Sequence, residues 1–284
     1  MMTLFQGLKG VQANIYVAVL AASRIHYRLE KTESGWSIQV DDADREKALK
    51  AVSAYISENP ESPQDEAGIP DFRKTFAGVW AAAGLAAVHA LISRGGDGRI
   101  FLEAYGSSAS RIVNGEYYRA VTALLLHADI AHLAGNVIGI ALFGTAICSL
   151  FGWGAGCLMI LLSGAAGNLI NAMMHQAGHV SIGASTAVFG AIGILAGYQF
   201  HDKFRRHTKR AGAWLSLGGG LALLGMLGSG PFTDIMAHFW GFLAGIGLGV
   251  LYVLWGRYAR NPAYQAVCGA MAAAVIAGSW ISGF

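Results

Sequence analysis

The sequence predicts an all-α polytopic membrane protein with a small N-terminal α+β module. Three observations carry that prediction. Hydrophobic residues make up 54% and charged residues only 13% of the 284 residues, and the mean hydropathy is +0.46, too apolar for an ordinary soluble domain. Charge is unevenly placed: the first 75 residues hold a large share of the acids and bases, whereas residues 159–197 contain no Asp, Glu, Lys or Arg. From residue 75 onward, seven apolar stretches are each about 17 to 22 residues long, near the thickness of a bilayer core.

Residues 1–60 read as a soluble α+β module. Ile15 to Ala22 is apolar but too short to span, so it is expected to be a buried helix. His26 to Glu30 and Trp36 to Val40 have strand character around a Glu33-Ser34-Gly35 turn. Asp41 to Ser57 places Ala48, Val52, Tyr55 and Ile56 at helical spacing. The order is α-β-β-α. A Pro- and acid-rich linker from Asn59 to Pro70 follows, so the organisation is module 1–60, linker 61–74 and membrane domain 75–284. The N-terminus lacks the basic region, apolar core and small-residue cleavage site of a signal peptide.

The seven stretches are about 75–93, 131–151, 153–174, 184–200, 212–228, 236–255 and 262–282. Lys203, Arg205, Arg206, Lys209 and Arg210 crowd the link between the fourth and fifth, and Arg257 and Arg260 lie between the sixth and seventh. Positive charge stays inside, which puts the N-terminal module in the cytosol and the C-terminus outside. Asn261 and Pro262 suit the N-cap and first position of the seventh helix. The Gly95–Ile130 connection, with Tyr105, Glu116, Tyr117, Tyr118 and Arg119, falls outside or in the outer interface.

In this topology segments two, four and six approach the outer face with their N-terminal ends. Those ends carry His132 with Asn136, Ser185, and His238. A polar group at membrane depth costs free energy unless it has a partner or a hydrated cavity, so such groups read as functional by default. Ser185 follows Gly183-Ala184 at a helix start, which suits a nucleophile and equally suits a plain N-cap. His238 lies on a segment whose Gly241, Gly245 and Gly249 recur every four residues, the small-xxx-small spacing of close helix packing. Packed against Gly190, Gly193 and Gly197 of the fourth segment, that face brings His238 toward Ser185. A histidine activating a serine is the logic of acyl-transfer nucleophiles. His132 and Asn136, at i and i+4, share a helix face and both can donate to an oxyanion.

HADIAHLAGN, GASTAVFG and AHFWGFLAG, in that order on separate segments, resemble the rhomboid family of intramembrane serine proteases over residues from about 105 to 250. Gly115-Glu116-Tyr117-Tyr118-Arg119 is similar to the family's Trp-Arg region of the outer loop, with tyrosine for tryptophan. The resemblance implies a rhomboid-like six-helix bundle with a seventh helix appended. It implies Ser185 as nucleophile and His238 as general base and acid, a dyad without aspartate. His132, Asn136 and the Ser185 backbone N–H form the implied oxyanion hole, with Gly183, Phe189 and Gly241 in support. Thr186 stands where the family often has glycine, Phe189 where it often has tyrosine, and Ala123 where some members have a histidine.

The function expected is therefore hydrolysis of peptide bonds in or near transmembrane segments of other proteins, without metal or cofactor. The partners are transmembrane substrates and the lipid bilayer. A noncatalytic rhomboid-like chaperone is the alternative, and a histidine-based proton relay a weaker third. The bases flank apolar segments, so nucleic-acid binding is disfavoured. Asp234, one turn before His238, reads as a solvated helix-start residue, Glu116 with Arg119 as a loop ion pair, and His127 as a structural hydrogen-bonding residue. His175 and His179 lack a third ligand at suitable spacing for zinc. Cys148, Cys157 and Cys268 read as small buried apolar residues. A bacterial inner membrane is the preferred location, and an archaeal membrane fits equally well.

Overall fold

The computed structural model describes residues 1–32, 34–59, 74–95, 98–175, 178–205, 210–227, 233–255 and 261–283. The expected linker lies almost wholly outside these residues, as do Glu33, Arg206, Lys209, Arg257 and Arg260. The chain divides into two compact units, Met1–Gly68 and Ile69–Phe284.

In the first unit, β1 (Met2–Leu8) precedes α1 (Gly10–Ala22), β2 (Tyr27–Thr32), β3 (Gly35–Val40) and α2 (Arg45–Glu58). The sheet is antiparallel in the order β1-β3-β2. Tyr16 and Leu20 of α1 meet Ile38 and Val40 of β3 and Ala48 and Val52 of α2 in one buried cluster. The arrangement is β-α-β-β-α, which corrects the expected α-β-β-α by one strand. The sequence conceals β1 because its pairing with β3 shifts register between Thr3 and Phe5 and again between Phe5 and Leu8, so no period of two survives. Ile56 also departs from expectation, standing exposed beside buried Val52.

The second unit is helical. It runs through α3 (Ala77–Arg94), α4 (Gly98–Tyr105), β4 (Ser107–Ser108), α5 (Ala109–Val113), α6 (Arg119–Thr122), α7 (Ile130–Phe151), α8 (Trp153–Met174), β5 (Val180–Ser181), α9 (Ser185–Arg205), α10 (Arg210–Leu227), α11 (Ile235–Trp255) and α12 (Pro262–Ile281). A helix occupies each of the seven expected stretches. Among the described residues five are long and apolar enough to cross a membrane: α3, α7, α8, Ile235–Tyr252 of α11, and α12. The last turns of α9 carry His201, Asp202 and Lys203, which lower its hydropathy, and α10 is an apolar helix over Gly212–Met226 among the described residues. The chain is an integral membrane protein.

Close helix contacts set the architecture. A Cβ on Gly245 of α11 would overlap the Gly190 carbonyl of α9, and one on Gly249 would overlap the Ile194 carbonyl. The converse also holds: a Cβ on Gly193 would overlap the Phe242 carbonyl and one on Gly197 the Ile246 carbonyl. Two backbones approach this closely only with glycine on both faces. Phe242 and Ile194, buried to 1% and 0% exposure, anchor the core around that seam.

A π turn at Ile140–Gly144 interrupts α7 directly below Asn136. There α3 crosses, with Gly78 against the backbone of Gly144 and Thr145. At the opposite end, α12 caps α8. Gln265 Oε1 accepts from the N–H groups of Gly154 (2.8 Å) and Ala155 (3.0 Å), while Nε2 donates to the Phe151 carbonyl (3.0 Å). A side chain 111 residues away thus satisfies the first orphan amides of α8. Asn261 caps α12 itself, accepting from Ala263 and Tyr264, with Pro262 in the first turn.

Candidate active site

Ser185 opens α9, and the chain leading to it is tied down on several sides. β5 pairs with β4, and the Ala109 N–H donates to the His179 carbonyl at 2.9 Å. The Gly183 N–H donates to the Ala123 carbonyl at 2.9 Å. The Ala184 N–H makes a long contact, 3.5 Å, to His127 Nε2. Gly183 adopts φ +115, a conformation L side chains rarely take. Ser185 is thereby delivered at a fixed angle, in the first turn of a helix whose leading amides lack intrahelical acceptors.

His238 sits one turn into α11, its backbone N–H bonded to the Asp234 carbonyl at 3.1 Å. The glycine seam of α9 and α11 brings its ring to the serine: His238 Nε2 lies 2.8 Å from Ser185 Oγ. With the proton on Nδ1, Nε2 accepts from the hydroxyl, the geometry a general base requires. Phe189, one turn along α9, packs its ring against the imidazole at 4.7 Å and 33°. The imidazole is 3% exposed. Gly241 admits the Thr186 carbonyl and methyl, which a Cβ there would strike.

His132 and Asn136 project from the first turns of α7, which Asp129 caps by accepting the His132 N–H at 2.8 Å. Both reach Gly183. A Cβ built on Gly183 would stand 2.5 Å from His132 Nε2 and 3.4 Å from Asn136 Nδ2. Glycine is thus required twice over, for its φ and for the donors packed against its α-carbon. Asn136 is 5% exposed, and its Nδ2 has no partner among the described residues. A buried amide donor left unpaired costs about 1–3 kcal/mol, so such a group is kept where an acceptor arrives.

Thr186 fills a space made for it. Its methyl is wedged between α8 and α11, 2.6 Å from where a Cβ on Gly167 would stand and 2.9 Å from one on Gly241. Glycine at those two positions accommodates a threonine where a glycine was expected. Ala123, standing where some family members have a histidine, holds Gly183 through its carbonyl.

The surrounding polar residues sort differently. Arg119 is 1% exposed and bonds Glu116 together with the Glu103 and Gly106 carbonyls, at 2.9 and 3.2 Å, so it staples the connection between α4 and α6. That guanidinium holds the Glu116 carboxyl below the usual carboxylate range. Burial holds His127 down to about 4, keeping it neutral, with its ring edge against His132 at 5.2 Å. A cavity of about 290 Å³, lined by His89, Ser93, Arg99, Phe101, Leu126 and His127 among others, adjoins the site on that side.

Asp234 corrects the sequence reading. It starts α11 as expected, with Oδ1 accepting the Ala237 N–H at 3.0 Å, but its side chain is only 13% exposed. Its other oxygen accepts from Asn171 at 2.7 Å and meets His179 Nε2 at 2.6 Å. Burial pushes its pKa up, but the Ala237, His179 and Asn171 hydrogen bonds outweigh that and hold it below the ordinary value. The third partner that His175 and His179 lack in sequence is therefore supplied from 55 residues away. Asn168 and Asn171, absent from the sequence reading, are 3% and 2% exposed, and Asn168 Nδ2 donates to the Ala120 carbonyl at 2.9 Å. Their signal was two amides in a charge-free apolar run.

Residues 114–255 match the rhomboid domain. The chain is 32% identical over 148 residues to the putative rhomboid protease YdcA of Bacillus subtilis, covering 50% of this chain and 70% of that protein. It is 31% identical over 166 residues to RHOMBOID-like protein 5 of Arabidopsis thaliana, covering 57% of this chain and 53% of that protein. Rhomboid protease GluP of Bacillus subtilis is 37% identical over 95 residues, 33% of this chain and 18% of that protein. The matched region spans about half the length of RHOMBOID-like proteins 5, 6 and 2 of Arabidopsis thaliana. With the rhomboid domain covering half of its length, the chain belongs to the rhomboid family.

Proposed function

We propose that this chain is an intramembrane serine endopeptidase that cuts peptide bonds in or near transmembrane segments of other membrane proteins. The observation that carries the reading is the 2.8 Å contact of Ser185 Oγ with His238 Nε2, made between two helices of an apolar core. Ser185 attacks the scissile carbonyl while His238 takes its proton. The carbonyl oxygen becomes an oxyanion and accepts from His132, Asn136 and the Ser185 N–H. Each such donor contributes about 2.7–4 kcal/mol in a site of this kind. His238 then protonates the leaving amine, and the acyl-serine remains. Water, activated by the same imidazole, attacks the ester, and collapse of the second tetrahedral intermediate returns the proton to Ser185. The cavity beside His127 supports a water route, and no metal or cofactor enters these steps.

The finer architecture belongs to the same proposal. The helices from α3 to α11 other than the short ones form a six-helix rhomboid bundle, and α12 is a seventh spanning helix. Lysine and arginine between α9 and α10 favour a cytosolic N-terminal module and an active site open to the outer face of a bacterial inner membrane. Substrates are transmembrane proteins, received between bundle and lipid. Reconstituted protein mixed with a transmembrane reporter tests this reading. Cleavage by the wild type and none by Ser185→Ala or His238→Ala is expected; equal cutting by all three contradicts it.

A further inference from the structure

We propose that His175, His179 and Asp234 form a binding site for a transition-metal ion of the zinc class, which clasps the end of α8 and the approach to Ser185 onto the start of α11. One ligand atom from each lies within 4.8 Å of the other two. Tetrahedral bonds of about 2.0–2.1 Å set ligand atoms roughly 3.4 Å apart, so side-chain rotations of about an ångström close the set. The two imidazoles already lie face to face, ring centres 4.0 Å apart at 17°. Two imidazoles and a carboxylate suit zinc and its neighbours rather than calcium or magnesium.

The outer groups fit a metal as well. A hydrogen bond between His175 Nδ1 and the Asn171 carbonyl, 3.0 Å, fixes the tautomer in which Nε2 holds the lone pair. Asn171 Nδ2 donates to the ligating oxygen of Asp234 and comes within 3.4 Å of His179 Nε2. That asparagine is 2% exposed, and its Oδ1 has no partner among the described residues. In the metal-free protein the His179–Asp234 hydrogen bond holds the place. The ion displaces the proton on His179 Nε2, which leaves to solvent.

The placement gives the site a role. His175 and His179 lie beyond the last turn of α8 and before β5, and Asp234 immediately precedes Ile235 of α11. His179 leads through β5 to Ser185 in six residues, and the Asp234 carbonyl holds the His238 N–H. A metal at this point binds the two arms that carry the dyad.

Chelator-stripped, detergent-purified protein titrated with Zn²⁺ by equilibrium dialysis tests the site, with thermal melting of the same samples. One Zn²⁺ per chain and a rise in melting temperature are expected. His175→Ala leaves the His179–Asp234 bond in place, so the stripped variant is expected to melt like wild type while binding Zn²⁺ at least about tenfold more weakly. His179→Ala and Asp234→Asn are expected to lose the Zn²⁺-induced rise. Absence of stoichiometric Zn²⁺ on the wild type, or equal affinity in His175→Ala, overturns the proposal.

Discussion

Two glycine-rich regions of the same bundle behave in opposite ways. Along one face of α9 and of α11 the glycines meet the opposing helix, and at Gly193, Gly197, Gly245 and Gly249 a Cβ would overlap a backbone atom of that helix. In α10, Gly218 and Gly219 have nothing among the described residues within 4 Å of the place a Cβ would take, and Gly220 meets only the Phe242 ring and the Ala196 side chain. Composition is the same; direction differs. Glycine acts as a packing residue where another group occupies the space it leaves, and at the α9–α11 seam that group is the backbone that carries His238. The contact between Ser185 and His238 is thus a consequence of the seam, which sets how near the two side chains come.

The largest effect is expected at the pair itself. Ser185→Ala or His238→Ala should lower cleavage by roughly 10³-fold or more, since dyad members act as a unit, and turnover of the transmembrane reporter measures this. Next comes the seam. Gly245→Val drives a branched side chain into the Gly190 carbonyl and should abolish cleavage by separating α9 from α11, whereas Gly219→Val should retain it. Equal loss in both would break the comparison. Asn136→Ala should cost about 10²–10³-fold in kcat with little change in KM if the proposed oxyanion hole holds, since its amide has no partner among the described residues.

Two smaller effects sharpen the contrast. Gln265→Ala unpairs the Gly154 and Ala155 amides and the Phe151 carbonyl, and should destabilise the bundle by about 2–4 kcal/mol, read from denaturant unfolding in micelles. Gly219→Ala, in open space, should be neutral or stabilise by up to about 1 kcal/mol in the same assay.

Much of this was legible in the sequence, for identifiable reasons. Seven long apolar stretches have helices over them because length and hydropathy are local properties, and the boundaries Trp153 and Met174 of α8 fall where they were expected. The Gly241, Gly245 and Gly249 spacing pointed to a backbone-close partner, and α9 supplies it. What escaped was long-range or irregular. Strand β1 escaped because its broken register erases alternation. Asp234 looked solvated because its partners, Asn171 and His179, lie 63 and 55 residues away. Gln265 carries no local sign of capping a helix that begins over a hundred residues earlier. The α9 stretch looked apolar to its end, but its helix runs on through His201, Asp202 and Lys203, which lower its hydropathy.

The most direct test of the central claim is the rate at which a serine-directed fluorophosphonate labels the purified protein in micelles. Wild type, Gly219→Val, Gly245→Val, His238→Ala and Ser185→Ala are compared at matched helicity by circular dichroism. Labelling of Ser185 in wild type and Gly219→Val, with none in the other three, is the predicted result. Labelling that persists in Ser185→Ala, or that proceeds in Gly245→Val at the wild-type rate, would contradict the claim that the glycine seam assembles a reactive Ser185–His238 pair.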